Sequence, residues 1–213
     1  MWTGGKDCTL ALLAARERQS IACLVTFVPD PPRPFLAHPL ELIRAQARAL
    51  GLEHRALPVA APLDRAYEDA IDALVSDGVD ALVTGDMDRV DGHENWIVER
   101  ARGRVRVERP LWQADRAAAL RRLEALGVEA VCTLSRRDRF DAPFAGTRLT
   151  PEVVERLVAR HGQDGFDACG ENGEYHTCVL NAPGFAAPLV LQGAEVVESG
   201  DFDRLALGSV GRQ

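Results

Sequence analysis

Apolar positions along the chain recur in two alternating rhythms. Leu42, Ile43, Ala47 and Leu50 fall on one face of a helix expected over residues 39–50, with Pro39 suited to its first turn and Gly51 to its stop. Tyr67, Ala70, Ile71, Leu74 and Val75 do the same over 64–77, where Asp64 is the expected N-cap and Gly78 the stop. Leu120, Leu123 and Leu126 repeat the pattern over 115–126, ahead of Gly127. Short apolar runs without alternation separate these helices, at 21–27, 81–84 and 130–134, with a further short strand at 54–59. A helix over roughly 7–19 precedes the first run.

Strands alternating with amphipathic helices predict right-handed crossovers and a parallel sheet, and non-alternating apolar strands suit a sheet covered on both faces. The expected fold class is therefore α/β, doubly wound and mostly parallel. After about Arg109-Pro110 the rhythm changes. Thr150-Pro151-Glu152 opens a capped helix with Val153, Val154, Leu157 and Val158 inward, and a polar, glycine-rich stretch covers 162–174. Short strands over 175–198 turn at Pro183-Gly184 and Gln192-Gly193. Two parts are expected: 1–109, and 110–213, a smaller α+β part packed against it.

Bulk properties narrow the function classes. The 213 residues are 46% hydrophobic and 27% charged, an ordinary globular composition. The net charge of −7 argues against a dedicated nucleic-acid binder, although Arg136, Arg137 and Arg139 form a short basic run, most simply a solvated loop. The five cysteines (Cys8, Cys23, Cys132, Cys169 and Cys178) include no C-x-x-C pair and read as reduced thiols, with Cys169 and Cys178 expected to be free rather than a metal pair. No apolar run is long enough for a membrane helix and no signal peptide is visible, so a cytoplasmic location is expected.

The run Thr3-Gly4-Gly5-Lys6-Asp7-Cys8-Thr9 leads straight into the first helix. Its glycines permit a sharp turn and close backbone approach to an anion, and the helix start supplies unpaired N–H groups and a positive dipole end. Lys6 adds charge, Asp7 is placed to orient Mg2+, and Thr3, Cys8 and Thr9 stand where a hydroxyl or thiol meets a phosphate oxygen. The spacing is not that of a Walker A loop. Only Met1 and Trp2 precede the loop, so the strand that normally leads into a phosphate loop is expected to be missing or truncated, with the true start upstream.

The loop resembles the S-G-G-x-D-S loop of the N-type ATP pyrophosphatases, with Thr3 and Cys8 in place of its serines. Further on, Gly170-Glu171-Asn172-Gly173-Glu174-Tyr175-His176-Thr177 concentrates carboxylates and an imidazole suited to acid–base work or metal binding. That segment resembles the signature of the diphthine–ammonia ligase family. Gly85-Asp86, Pro110-Leu111-Trp112 and Phe144-Ala145-Gly146 resemble further landmarks of the same family, in the same order.

The resemblance implies a Rossmann-like nucleotide half and an ATP-dependent amide ligase. A carboxylate is adenylated with release of pyrophosphate, and ammonia then displaces AMP. Eukaryotic and archaeal members act on diphthine of elongation factor 2. The Ala- and Arg-rich composition points to a GC-rich bacterial source, where another carboxylate, small or protein-borne, is expected as acceptor. The site so implied uses ATP and Mg2+, with Asp7 as metal ligand. Thr3, Gly4, Gly5, Lys6, Asp7, Cys8, Thr9, His38, Gly85 and Asp86 hold the nucleotide. Gly170, Glu171, Asn172, Gly173, Glu174, Tyr175 and His176 line the acceptor site, and Asp7, Glu171, Glu174 and His176 are the catalytic candidates. Trp96 is expected to pack in the core rather than stack on adenine. A non-catalytic ATP- or AMP-binding regulatory module and an RNA-modifying thiolase are the competing readings, and a homodimer is an open expectation.

Overall fold

The structure is a computed structural model that describes residues 1–89, 92 and 94–212. In the first half, helix α1 (Lys6–Arg16) is followed by β1 (Leu24–Pro29), α2 (Leu40–Leu50), β2 (His54–Val59), α3 (Leu63–Ser76), β3 (Ala81–Val83), α4 (Trp96–Ala101) and β4 (Arg106–Glu108). These follow the apolar rhythm closely. Asp64 is not the cap of α3, because the helix starts one residue earlier with Pro62 at the N-cap. Asp64 instead sits in the first turn, where its charge still suits the helix dipole.

The fold is mixed α/β with parallel sheet pieces. β1 pairs in parallel with β2, and β3 with β4, as two separate two-stranded ladders rather than one continuous doubly wound sheet. Met1 and Trp2 stand between them. The Met1 ammonium donates to the Val83 carbonyl at 2.7 Å, and the Trp2 N–H donates to the Val25 carbonyl at 2.7 Å. The Thr26 hydroxyl also donates to the Trp2 carbonyl. This short segment thus lies where the strand ahead of the loop was expected, and it touches both ladders. Beside it lies a hollow of about 230 Å3, walled by residues that include Met1, Trp2, Leu24, Ala81 and Leu82.

The second half, expected as a smaller α+β part, is built on an antiparallel sheet. α5 (Arg116–Ala125), capped by Asp115, leads into β5 (Glu129–Arg136), then α6 (Pro151–Arg160), whose cap Thr150 accepts from the Val153 N–H. After α6 the chain doubles back through residues 161–174 instead of crossing over, so β6 (Tyr175–Asn181) pairs antiparallel with β5. With β8 (Glu195–Ser199) and β9 (Phe202–Ala206) they form an antiparallel sheet in the order β6-β5-β9-β8, and β7 (Leu189–Gln192) pairs with β10 (Ser209–Arg212). Among the described residues no helix is long and apolar enough to cross a membrane.

One core serves both halves. Leu10 of α1 belongs to the same buried cluster as Met87, Leu120, Leu157, Phe166 and Tyr175. α1 is therefore wedged between the parallel ladders and the antiparallel sheet, and the loop ahead of it lies at their junction. Gly85 permits that wedge: a Cβ there would fall 2.6 Å from the Asp7 carbonyl carbon and 2.6 Å from the Cys8 nitrogen. Replacing Gly85 with alanine is therefore expected to cost about 1–3 kcal/mol by overpacking against backbone that cannot swing aside. Thermal melts check this, and an unchanged melting temperature would show that the approach is not tight.

Candidate functional site

The Thr3–Asp7 loop is held from below by polar groups of the second half. The Val179 N–H donates to the Gly4 carbonyl at 2.8 Å, and the Lys6 N–H donates to the Thr177 hydroxyl at 3.1 Å. Gln46 of α2, fully buried, donates its amide to both the Gly4 carbonyl (2.9 Å) and the Val179 carbonyl (2.8 Å). Gly4 has φ +76°, and a Cβ there would meet the Gln46 Oε1 at 2.0 Å, so any other residue would strain the turn and displace the Gln46 amide. Sequence reading missed Gln46. Its only signal was a lone polar side chain on the apolar face of α2, beside Leu42, Ile43 and Ala47.

Above the loop opens a cleft of about 400 Å3. Its walls bring together most of the residues expected from sequence: Thr3, Gly5, Lys6, Asp7, Cys8, His38, Gly85 and Asp86 from the first half, and Gly170, Glu171, Gly173, Tyr175 and His176 from the second. Four expected residues are placed differently. Gly4 is buried against Gln46 and is not part of the cleft wall. Thr9 is 1% exposed and its hydroxyl donates to the Gly5 carbonyl within the helix, so it faces away from the cleft. Glu174 is fully buried, and its carboxylate accepts from the N–H groups of Asp167 and Asn172 at 2.7 and 3.0 Å. It shapes the 167–174 turn and does not line the acceptor space. Asn172 is exposed and donates to the Gly165 carbonyl, outside the cleft.

The Lys6 ammonium does not reach toward open cleft. It is buried, paired with Asp7 Oδ2 at 2.7 Å, donates to the Cys169 carbonyl and lies 5.4 Å from the centre of the Tyr175 ring. Burial opposes its charge, but Asp7 and the other acidic neighbours outweigh this and hold its pKa well above the ordinary value. Asp7 Oδ1 is buried and has no protein partner. Glu171 has its pKa raised to about 7, first by burial and then by the nearby Asp7 carboxylate. Arg116 pairs with Asp167 at 2.8 Å and with Asp88 at 3.2 Å, which closes the acidic side of the turn.

Two imidazoles also line the cleft. His38 and His176 meet edge to face at 5.3 Å between ring centres. Burial, then His176, then Lys6 push His38 down to about 3, so it is neutral through the physiological range, and burial followed by Lys6 lowers His176 as well. Asp86 is engaged by its own surroundings: its carboxylate accepts from the Thr84 hydroxyl and from the Asn95 amide, both at 2.8 Å. All five cysteines are free thiols, and burial raises Cys8, Cys132, Cys169 and Cys178, the second and third to about 12.

The cleft suits the groups implied by the sequence. The glycine turn at a helix start, in a hollow large enough for a nucleotide, fits a polyphosphate. Magnesium keeps several waters and takes one or two carboxylates with the phosphate oxygens, and the unpartnered Asp7 Oδ1 fits that role. Among the described residues, no cluster of three or more His, Cys, Asp or Glu side chains could hold a metal by itself.

Known proteins resemble this chain over both halves. Family models described as the diphthamide synthase N-terminal domain and the diphthamide synthase C-terminal domain match residues 1–105 and 118–204. The chain belongs to that family. The diphthine–ammonia ligase of Schizosaccharomyces pombe is 33% identical over 94 residues, a match that takes in 41% of this chain and 14% of that relative. The chain thus corresponds to a small part of that much longer protein. A solved structure described as a predicted subunit of tRNA methyltransferase, from Methanocaldococcus jannaschii, overlaps 84% of this chain and 93% of its own at 15% identity, with a TM-score of 0.44.

The raised Glu171 pKa carries a stability consequence of fixed sign. From its ordinary value of 4.5 up to about 7 the folded chain holds a proton that the unfolded chain has released, so stability falls as pH rises through that window. Glu171→Gln is therefore expected to stabilise the protein by about 1–3 kcal/mol near pH 8 and to change little near pH 4. Chemical denaturation at both pH values checks this, and an equal effect at both would contradict it.

Proposed function

We propose that the chain is an ATP-dependent ligase that activates a carboxylate as its adenylate and joins it to ammonia as an amide. The observation that carries this reading is the meeting of the Thr3–Asp7 loop and the Gly170–Thr177 turn across one cleft. In a ligase of this kind the nucleotide and the acceptor must be held within reach of each other, because most of the catalysis is positioning and charge neutralisation. The backbone of Gly5 and the first turn of α1 would receive the phosphates. Asp7 Oδ1 would hold Mg2+, which neutralises phosphate charge when bound. Lys6 would act chiefly as the clasp that fixes Asp7 and the Cys169–Gly170 backbone.

Glu171 is the group suited to move a proton. With its pKa near 7 it is part protonated and part charged at neutral pH, which matches the demand of taking a proton from ammonium or from the attacking amine. His38 and His176, neutral and facing each other, supply hydrogen-bonding groups without adding positive charge to the acceptor wall. The acceptor is a carboxylate, free or carried on a protein.

The thiolase alternative needs a thiolate. Burial raises the thiols around the cleft and keeps them protonated, which favours the ligase.

Calorimetric titration of ATP with magnesium is expected to show binding that falls at least tenfold in Asp7→Asn. With an ammonium salt and an accepted carboxylate, AMP and pyrophosphate should accumulate together. Release of ADP and orthophosphate would refute the adenylation step, and nucleotide binding with no turnover for any carboxylate would favour a regulatory module.

A further inference from the structure

The sequence has three tryptophans, two tyrosines and seven phenylalanines, and their placement is uneven. Trp2 is 1% exposed, and Trp112 lies under the Arg109 guanidinium at 3.8 Å. Trp96 differs from both: it is 38% exposed, and it lies on the wall of the cleft that holds the Thr3–Asp7 loop. Core packing, the expectation for this residue, does not describe it.

Its ring is fixed from behind and from below. Tyr67 of α3 stacks on it at 4.0 Å with 30° between planes, and Phe27 of β1 meets it edge-on at 5.5 Å. Phe27 in turn meets Tyr67 edge-on at 5.1 Å, so the three rings brace one another. The backbone beneath is tied to the cleft by a polar relay. Thr84 donates to Asp86, Asn95 donates to Asp86, and the Asn95 side chain accepts from the Ile97 N–H as the cap of α4. Trp96 is the first residue of that helix. A large, rigid aromatic surface is thus left open on the wall of the cleft, at the strand ends where α/β folds receive ligands.

We propose that Trp96, backed by Tyr67 and Phe27, is the stacking platform for the base of the nucleotide. This rests on the reading of the loop as a polyphosphate site. The loop would take the charged end, and the aromatic rim would take the flat apolar end, so the cleft orients the nucleotide by chemistry at both extremes. A face without hydrogen-bond readout accepts any purine, so Trp96 confers affinity for a base and not choice among purines. Asp86, expected from the sequence to hold the nucleotide, is by this account a positioning residue that acts through Asn95.

The test compares ATP with inorganic tripolyphosphate, each with magnesium, by calorimetry on the wild type and on Trp96→Ala and Trp96→Phe. Trp96→Ala should weaken ATP binding about tenfold or more, as loss of a base stack does, and leave tripolyphosphate binding unchanged. Trp96→Phe, which keeps a stackable ring, should lose less. Equal losses for both probes, or none for ATP, would overturn the platform, as would a wild type that binds tripolyphosphate as tightly as ATP. A wild type that binds neither probe would sink the loop reading itself, and the platform with it. If the alanine variant does not fold, wild-type tryptophan emission decides: quenching by ATP that tripolyphosphate does not produce, and that Trp96→Phe abolishes, supports the platform, and its absence overturns it.

Discussion

The Lys6 ammonium sits out of water, and much of the site follows from what must be done with it. A buried cation costs several kcal/mol unless it is paired and its protons are met. Here Asp7 provides the charge and the Cys169 carbonyl an acceptor, one from each half of the chain. The arrangement holds only while α1 and the 169–170 backbone stay together. That ties the two halves together at the cleft, since separating them would leave the buried ammonium without its Cys169 carbonyl acceptor. It also accounts for the state of Asp7: one carboxylate oxygen is engaged by Lys6, and the other is buried without a protein partner.

The same economy of polar groups runs through the rest of the cleft. Gln46 satisfies two carbonyls that the loop and β6 would otherwise leave unmet, and Glu174 satisfies two N–H groups of the turn above. Buried side chains of this kind fix backbone geometry and touch no ligand. What remains free to act is a small set: Asp7, Glu171, His38 and His176, with the glycines between them.

The loop and the 170–177 turn were both legible in the sequence because their chemistry is dense and local. Two glycines at a helix start, or two carboxylates and an imidazole within a few residues, show themselves without a fold. The division of labour inside those segments was not legible. Glu171 and Glu174 look alike in a list, and only the backbone path shows that one faces the cleft and the other caps a turn. The helices were readable from their apolar faces to within a few residues at each end. The direction of β5 was not, since a fully apolar run looks the same whether its neighbour is parallel or antiparallel. Gln46 and Trp96 were hidden for a related reason: each lies in a helix whose face can be read, but the meaning of one unusual residue on that face depends on what approaches it from elsewhere in the chain.

The seat of Met1 and Trp2 between the parallel ladders has a practical meaning for anyone who handles this protein. Trp2 is buried, its N–H is bonded to the Val25 carbonyl, and its own carbonyl accepts from the Thr26 hydroxyl. Its fluorescence therefore reports on the packing between the ladders and not on solvent, and a dye or cross-linker attached at residue 2 would have to push strands apart to be accommodated. Labels and surface attachments belong elsewhere on the molecule.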